Sequence, residues 1–175
     1  MALIEPASAV IVRVPVPPGV ERLRTRWDRA ASLGVPAHVT VLFPFLAPGD
    51  LVPAARRELA AIAAATDPFE VSFTRVGRFP TVVYLAPEPD APFARLTAEI
   101  AARYPDHPPY GGAFEEVVPH LTVAESATAP LDQIALAAAD HLPIRHRVTM
   151  LEVLVEGVEG RWHGRWRLPL GSVRR

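Results

Sequence analysis

Two short segments of this chain carry the same pair of reactive side chains. Val35-Pro36-Ala37-His38-Val39-Thr40-Val41 and Val118-Pro119-His120-Leu121-Thr122-Val123 each contain His-x-Thr, and the two histidines stand 82 residues apart in a chain of 175. With six histidines and nine threonines, about 0.3 such triplets are expected by chance, and two by accident with a probability of about 0.04. The shared Val-Pro lead and trailing valine make coincidence rarer still. In a strand, residues i and i+2 point to one face, so each motif offers an imidazole and a hydroxyl side by side. A free imidazole titrates near pH 6.5 and serves as proton donor or acceptor. Two of them facing one another suit phosphodiester chemistry. A neutral ring takes a proton from the attacking oxygen, a protonated ring gives one to the leaving oxygen, and threonine hydroxyls hold the non-bridging oxygens.

Composition removes competing chemistries. The chain has no cysteine, so thiol nucleophiles, disulfides and Cys-containing metal sites are excluded. All 18 basic residues are arginine, which excludes a P-loop lysine, Schiff-base catalysis and a lysyl-nucleotide intermediate. A formal net charge of −1 argues against bulk binding along a nucleic-acid backbone while leaving a grip on one phosphate open. Zinc bound by His38, His120 and a carboxylate is disfavoured, because each histidine is followed at i+2 by threonine instead of a ligand. No apolar run approaches the roughly 20 residues of a membrane span. The start Met1-Ala2-Leu3-Ile4-Glu5 lacks the basic residues of a secretory signal, so a cytoplasmic protein without membrane attachment is expected.

The elements that must position these residues follow from periodicity. Val10 to Val14 reads as a strand closed by Pro15, Pro17 and Pro18. Val20, Leu23, Trp27 and Ala30 or Ala31 form one helical stripe that Gly34 stops, with Arg22, Arg26 and Arg29 on a solvated face. The first motif lies on a strand bracketed by Pro36 and Pro44. Asp50 is placed as the cap of a helix with Pro53 in its first turn and Ala55, Leu59, Ile62 and Ala63 buried. Phe69, Val71 and Phe73 alternate with polar residues and pair with Val82 to Leu85 as a hairpin. Asp90 caps a helix carrying Phe93, Leu96 and Ile100. After the loop 108–112 comes a strand from Val118 to Val123, then a helix from Leu131 to His141. A final pair of strands, Ile144 to Glu156 and Arg161 to Leu168, turns at Gly157 to Gly160. Each motif strand is preceded by a helix and followed by a helix and then a hairpin, the pattern of a duplicated unit.

The paired motifs, their separation and the form Pro119-His120-Leu121-Thr122-Val123 resemble the two-histidine phosphoesterase superfamily, in particular its 2′-5′ RNA ligase-like branch. The resemblance runs from His38 through Thr122 and the flanking strands. It implies an α+β fold in one domain, residues 1–175, with two pseudo-symmetric lobes: two mainly antiparallel sheets around a central cleft, with helices outside. It also implies metal-independent action, with no cofactor, on 2′,3′-cyclic phosphates or 2′-5′ phosphodiester bonds. The expected partner is a nucleotide or RNA terminus as substrate, with no obligatory protein partner. A binder that grips the same ligand without turnover is the competing expectation. Many members of the branch carry an arginine just after the second motif, where this chain has Ala124-Glu125. Arg78 and Arg167 are candidates to replace it.

His38, His120, Thr40 and Thr122 are therefore the expected catalytic set. Phe43, Phe79 and Tyr84, with Tyr110 and Phe114, are the aromatic rings near the motifs that could stack on a nucleobase; core packing is the commoner role for each taken singly, while Tyr84, in the central hairpin, has a hydroxyl suited to a cleft edge. Arg78 completes the expected substrate-binding group. Arg161, His163, Arg165 and Arg167 alternate with Trp162 and Trp166 as one face of a two-faced strand. His107, His141 and His146 have no hydroxyl at i+2.

Overall fold

The computed structural model describes residues 6–171, so the Met1-to-Glu5 start considered above lies outside the described residues. Eight strands form two antiparallel four-stranded sheets. They are β1 (Ser8–Arg13), β2 (His38–Leu42), β3 (Phe69–Phe79), β4 (Val82–Glu88), β5 (Leu121–Glu125), β6 (Ile144–Val148), β7 (Met150–Glu156) and β8 (Trp162–Pro169). The first sheet runs β2-β1-β7-β8 and the second β5-β4-β3-β6. Each motif strand is thus the edge of its sheet, and each pairs inward with the strand that precedes it. The α+β architecture with two antiparallel sheets and helices between strands is the one expected from the sequence.

The two halves of the chain are interlocked. The strand β3, which follows the first motif, joins the second sheet, whereas the β7–β8 hairpin, which follows the second motif, completes the first. Helices cross in the same way: α1 (Pro18–Trp27) packs on β5, and α4 (Ala91–Arg103) packs on β2. One buried cluster, including Val39, Leu59, Phe73, Leu85, Phe93, Leu121 and Leu151, runs through both sheets.

Several element boundaries differ from expectation, each for a local physical reason. The helix expected through Ala31 is broken at Asp28, which is extended (φ −114°, ψ 108°) and caps a second short helix, α2 (Arg29–Ser32), by accepting from the Ala30 N–H at 3.0 Å. Asp50 does not cap α3 (Pro53–Ala65). It sits in a short 3-10 turn, Pro48–Asp50, and Val52 precedes the helix without a side-chain cap, where proline at the start leaves one fewer N–H to satisfy. Asp90 holds the expected position before α4, but its carbonyl and not its carboxylate accepts from Phe93 and Ala94. The hydrogen-bonded part of the second motif strand begins at Leu121. Residues 144–156 do not form one strand. The chain leaves the second sheet at Val148 and enters the first at Met150, with the Thr149 carbonyl accepting from Leu170 N–H at 2.9 Å. The helix after the second motif, α5, spans Leu131–Ala139, and Gly157 to Gly160 forms the turn between β7 and β8.

Phe73 is fully buried where β3 contributes to the common core. Phe73→Ala should cost about 3–5 kcal/mol of unfolding free energy, read as a lower denaturation midpoint at unchanged slope. A loss below about 1 kcal/mol would contradict this packing.

Candidate active site

Both motif histidines are built the same way. His38 Nδ1 lies 2.7 Å from the carbonyl oxygen of Pro36, and His120 Nδ1 lies 2.7 Å from that of Val118. A carbonyl only accepts, so Nδ1 carries the proton in each ring and the Nε2 lone pair is the reactive atom. His38 Nε2 accepts from the Thr40 hydroxyl at 3.1 Å. In both motifs the partner carbonyl is two residues upstream.

Behind them the strands bulge. In the β1–β2 pairing Ile11 faces Thr40 while Val10 faces Leu42, so Val41 is an extra residue. In the β4–β5 pairing Tyr84 faces Thr122 while Val83 faces Ala124, so Val123 is extra. A bulge of this kind puts two successive residues on the same side and resets the alternation. Val41 with Leu42, and Val123 with Ala124, are accordingly all buried, and the next residue returns to the cleft. That residue is Phe43 in one strand and Glu125 in the other.

His38, Thr40, Phe43, His120, Thr122 and Glu125 line one cavity of about 460 Å³, floored by Ala9, Ile11, Val35 and Leu154 and edged by Trp162. A second cavity of about 520 Å³ adjoins it, sharing Tyr110, His120, Thr122 and Glu125 and continuing to Phe79, Val82, Phe114 and Glu116. The histidines and threonines therefore occupy the middle of a two-sided cleft. A larger open groove of about 630 Å³ lies between α3 and α4 around Glu58 and Arg103, with no histidine or threonine, so size alone does not mark the site.

Of the residues expected at the site, Phe79 walls the second cavity, stacks on Tyr84 at 4.5 Å between centroids, and meets His120 edge-on at 5.2 Å. Tyr84 supports the His120 ring at 5.5 Å, and Gly77 across the strand pair is what lets it do so, because a Cβ there would overlap the tyrosine ring. Phe43 packs edge-on to Trp162 at 6.0 Å. Arg78 is not brought to the cleft: it alternates with Gly77 and Phe79 onto the opposite face and pairs with Asp132 at 2.7 Å. Arg167 is also held elsewhere, by Glu152, which Arg13 contacts as well. Arg29 is the arginine that lines the described cleft. Phe114 lies at its rim, 62% exposed, edge-on to Tyr110.

Two contributors have roles that periodicity does not assign: Tyr110, expected above only as a stacking ring, and Arg24. Tyr110 adopts a left-handed backbone (φ 52°), donates its N–H to the Phe43 carbonyl at 2.6 Å and lines the same cavity as Thr40. That pins the 108–112 loop across the cleft, a conformation uncommon for a residue with a Cβ and typical of functional loops. Arg24 is 1% exposed and lies under the first motif. Its guanidinium donates to Asp28 Oδ2 at 3.1 Å and to the Val35 carbonyl at 3.2 Å, fixing the turn that leads into His38. The i,i+4 spacing of Arg24 and Asp28 was the available signal.

These neighbours make the histidines electrically unequal. His38 is pushed down to about 4, chiefly by burial and in smaller part by the Arg24 cation and His120, against the Pro36 hydrogen bond that raises it. His120 is also lowered by burial, while the Val118 carbonyl and the Glu125 carboxylate raise it. Burial raises Asp28 and Tyr110, with Arg24 pulling Asp28 back.

The same two-sheet fold occurs in solved structures. TT0787 of Thermus thermophilus superposes with a TM-score of 0.63 at 19% identity, covering 94% of this chain and 98% of that one. Escherichia coli LigT complexed with 3′-AMP superposes at 0.53 and 16% identity, covering 95% and 99%. At such identities these likenesses establish the fold. In sequence, a provisionally named phosphoesterase of Geobacillus kaustophilus is 28% identical over 153 residues, covering 85% of this chain and 80% of its own. Another from Bacillus cytotoxicus is 31% identical over 146 residues, covering 81% and 76%. The pattern of the 2′-5′ RNA ligase superfamily matches residues 12–159, and the chain belongs to that family. Membership carries, at the level of the class, a phosphoesterase or 2′-5′ RNA ligase-like function.

Two stability measurements test this geometry. Arg24→Leu strands the buried Asp28 carboxylate and should cost about 3–5 kcal/mol, with Arg24→Leu/Asp28→Leu recovering much of the loss in chemical denaturation. The neutral His38 must gain a proton on unfolding below its ordinary pKa of 6.5, so the native state binds fewer protons there. Stability should fall as pH drops from about 6.5 toward about 4, and His38→Asn should flatten that slope.

Proposed function

We propose that the protein is a phosphoesterase that acts on 2′,3′-cyclic phosphate or 2′-5′ phosphodiester bonds at RNA ends or in small nucleotides, in the cytoplasm. The observation that carries this reading is the pair of Nε2 atoms, each with its Nδ1 tied to a backbone carbonyl, lining one cleft beside two threonine hydroxyls.

The unequal surroundings support a division of labour. His38, held neutral, is the general base: its Nε2 takes the proton of the attacking water or hydroxyl as the new P–O bond forms. His120, beside the Glu125 carboxylate, is the general acid: its Nε2–H passes to the ester oxygen as that P–O bond breaks. For a cyclic phosphate and water, the sum is one water added across the bond, and proton return between the rings restores both. Thr40 and Thr122 donate to the non-bridging oxygens, where charge builds in the transition state. With a 5′-hydroxyl as nucleophile in place of water, the same steps join a 2′-5′ linkage. The scheme uses no metal or cofactor.

Turnover of 2′,3′-cyclic nucleotides and 2′-5′-linked dinucleotides, measured with EDTA present, tests the reading. His38→Ala and His120→Ala should each lower kcat by about 10²–10⁴. Unchanged rates in both variants would overturn it, and saturable binding without turnover in the wild type would favour a binder. The kcat/KM profile should rise as His38 loses its proton near pH 4 and fall as His120 loses its own below 6.5. Because Glu125 holds His120 up, Glu125→Gln should move the falling limb to lower pH and leave the rising limb in place.

A further inference from the structure

We propose that Glu125 sets the charge selectivity of the cleft, admitting a single phosphate and disfavouring a second anionic group on the side of the β5-β4-β3-β6 sheet. The inference rests on the reading of the His–Thr centre as a phosphate site. By simple alternation from His120 and Thr122, Glu125 belongs on the far face of β5. The extra residue Val123 brings it back, so that it lines both halves of the cleft next to Thr122.

The same bulge at Val41 delivers Phe43 to the equivalent place in the first motif strand. The pseudo-symmetric positions therefore carry an uncharged ring at one end and a carboxylate at the other. Glu125 makes no salt bridge with any described residue. The half on the side of the β5-β4-β3-β6 sheet is lined by Phe79, Tyr110 and Phe114 with a second carboxylate, Glu116, and by no arginine, whereas the other half carries Arg29 beside Asp28, whose carboxylate is paired with Arg24. An anion entering beside Glu125 meets repulsion from a carboxylate that no arginine in that half of the lining offsets. An uncharged group bearing hydrogen-bond donors, such as a sugar hydroxyl or the amine edge of a base, meets aromatic walls and two acceptors. Charge exclusion of this kind gives specificity by opposing the wrong ligand.

The test compares binding of inorganic phosphate and pyrophosphate by calorimetry at low salt, with the intact chain and its Glu125→Gln and Glu125→Arg variants. Glu125 is exposed at a strand end, and matching thermal melts will verify that the variants fold. The preference for phosphate over pyrophosphate should shrink about tenfold in Glu125→Gln and further in Glu125→Arg, and the wild-type preference should weaken in high salt. Intact phosphate binding with a ratio unmoved by either substitution would overturn this proposal alone. Phosphate binding that survives His38→Ala/His120→Ala, with a ratio still shifted by Glu125, would overturn the His–Thr seat and keep the charge selection. A protein that binds neither anion would overturn both.

Discussion

Two edge strands must each bury one face completely and present reactive groups on the other, and the rest of the molecule is arranged around that demand. Behind His38 and Thr40, and behind His120 and Thr122, the valines and leucines of β2 and β5 are fully buried. An edge strand normally exposes a row of unpaired backbone groups to chance partners. Here the edges face each other across the cleft, where β2 and β5 come into contact. Each is bent by one bulge, so the reactive pair and the residue five positions after the histidine share the cleft face.

Holding two edges opposite one another requires that the lobes not drift. The exchange of strands and helices between halves supplies this: a hairpin from each half completes the sheet of the other, and α1 and α4 cover the opposite motif strands. The main buried cluster runs through both sheets, so most of the core is shared between the lobes, with a smaller cluster of Ala9, Ile11, Val35 and Leu154 on the first sheet. A cleft between two sheets that share most of one core is held in a fixed shape, and fixed geometry is what positioning two proton-transfer groups would require.

Near-symmetry in geometry coexists with asymmetry in charge. The backbone treats the two histidines alike, down to the 2.7 Å carbonyl bond on each Nδ1. The surroundings do not. A buried guanidinium lies under His38, tied into the Asp28 helix break, and a carboxylate stands beside His120. A duplicated scaffold can thus give one ring to proton removal and the other to proton delivery, a distinction set by neighbours outside the motifs.

The reactive pairs, the helix stripes, most of the strands and the family were all legible in the order of the residues. These depend on relations between positions close in the chain: His to Thr at i+2, apolar residues at helical spacing, prolines at strand ends. Lacking lysine and cysteine was informative in the same way, since it left histidine, threonine and arginine to do the chemistry. Relations that cross the chain emerged only on folding. The break at Thr149 sends 144–148 and 150–156 to different sheets, which alternation cannot reveal because both sides remain good strand sequence. Arg78 was near the motifs in expectation, yet its strand register turns it toward Asp132. Alternation alone would put Glu125 on the far face of β5, and the bulge, visible only as a slip in pairing with β4, returns it to the cleft. Local spacing sets which groups are available, whereas register between strands and packing between distant segments set where they point and how they are charged.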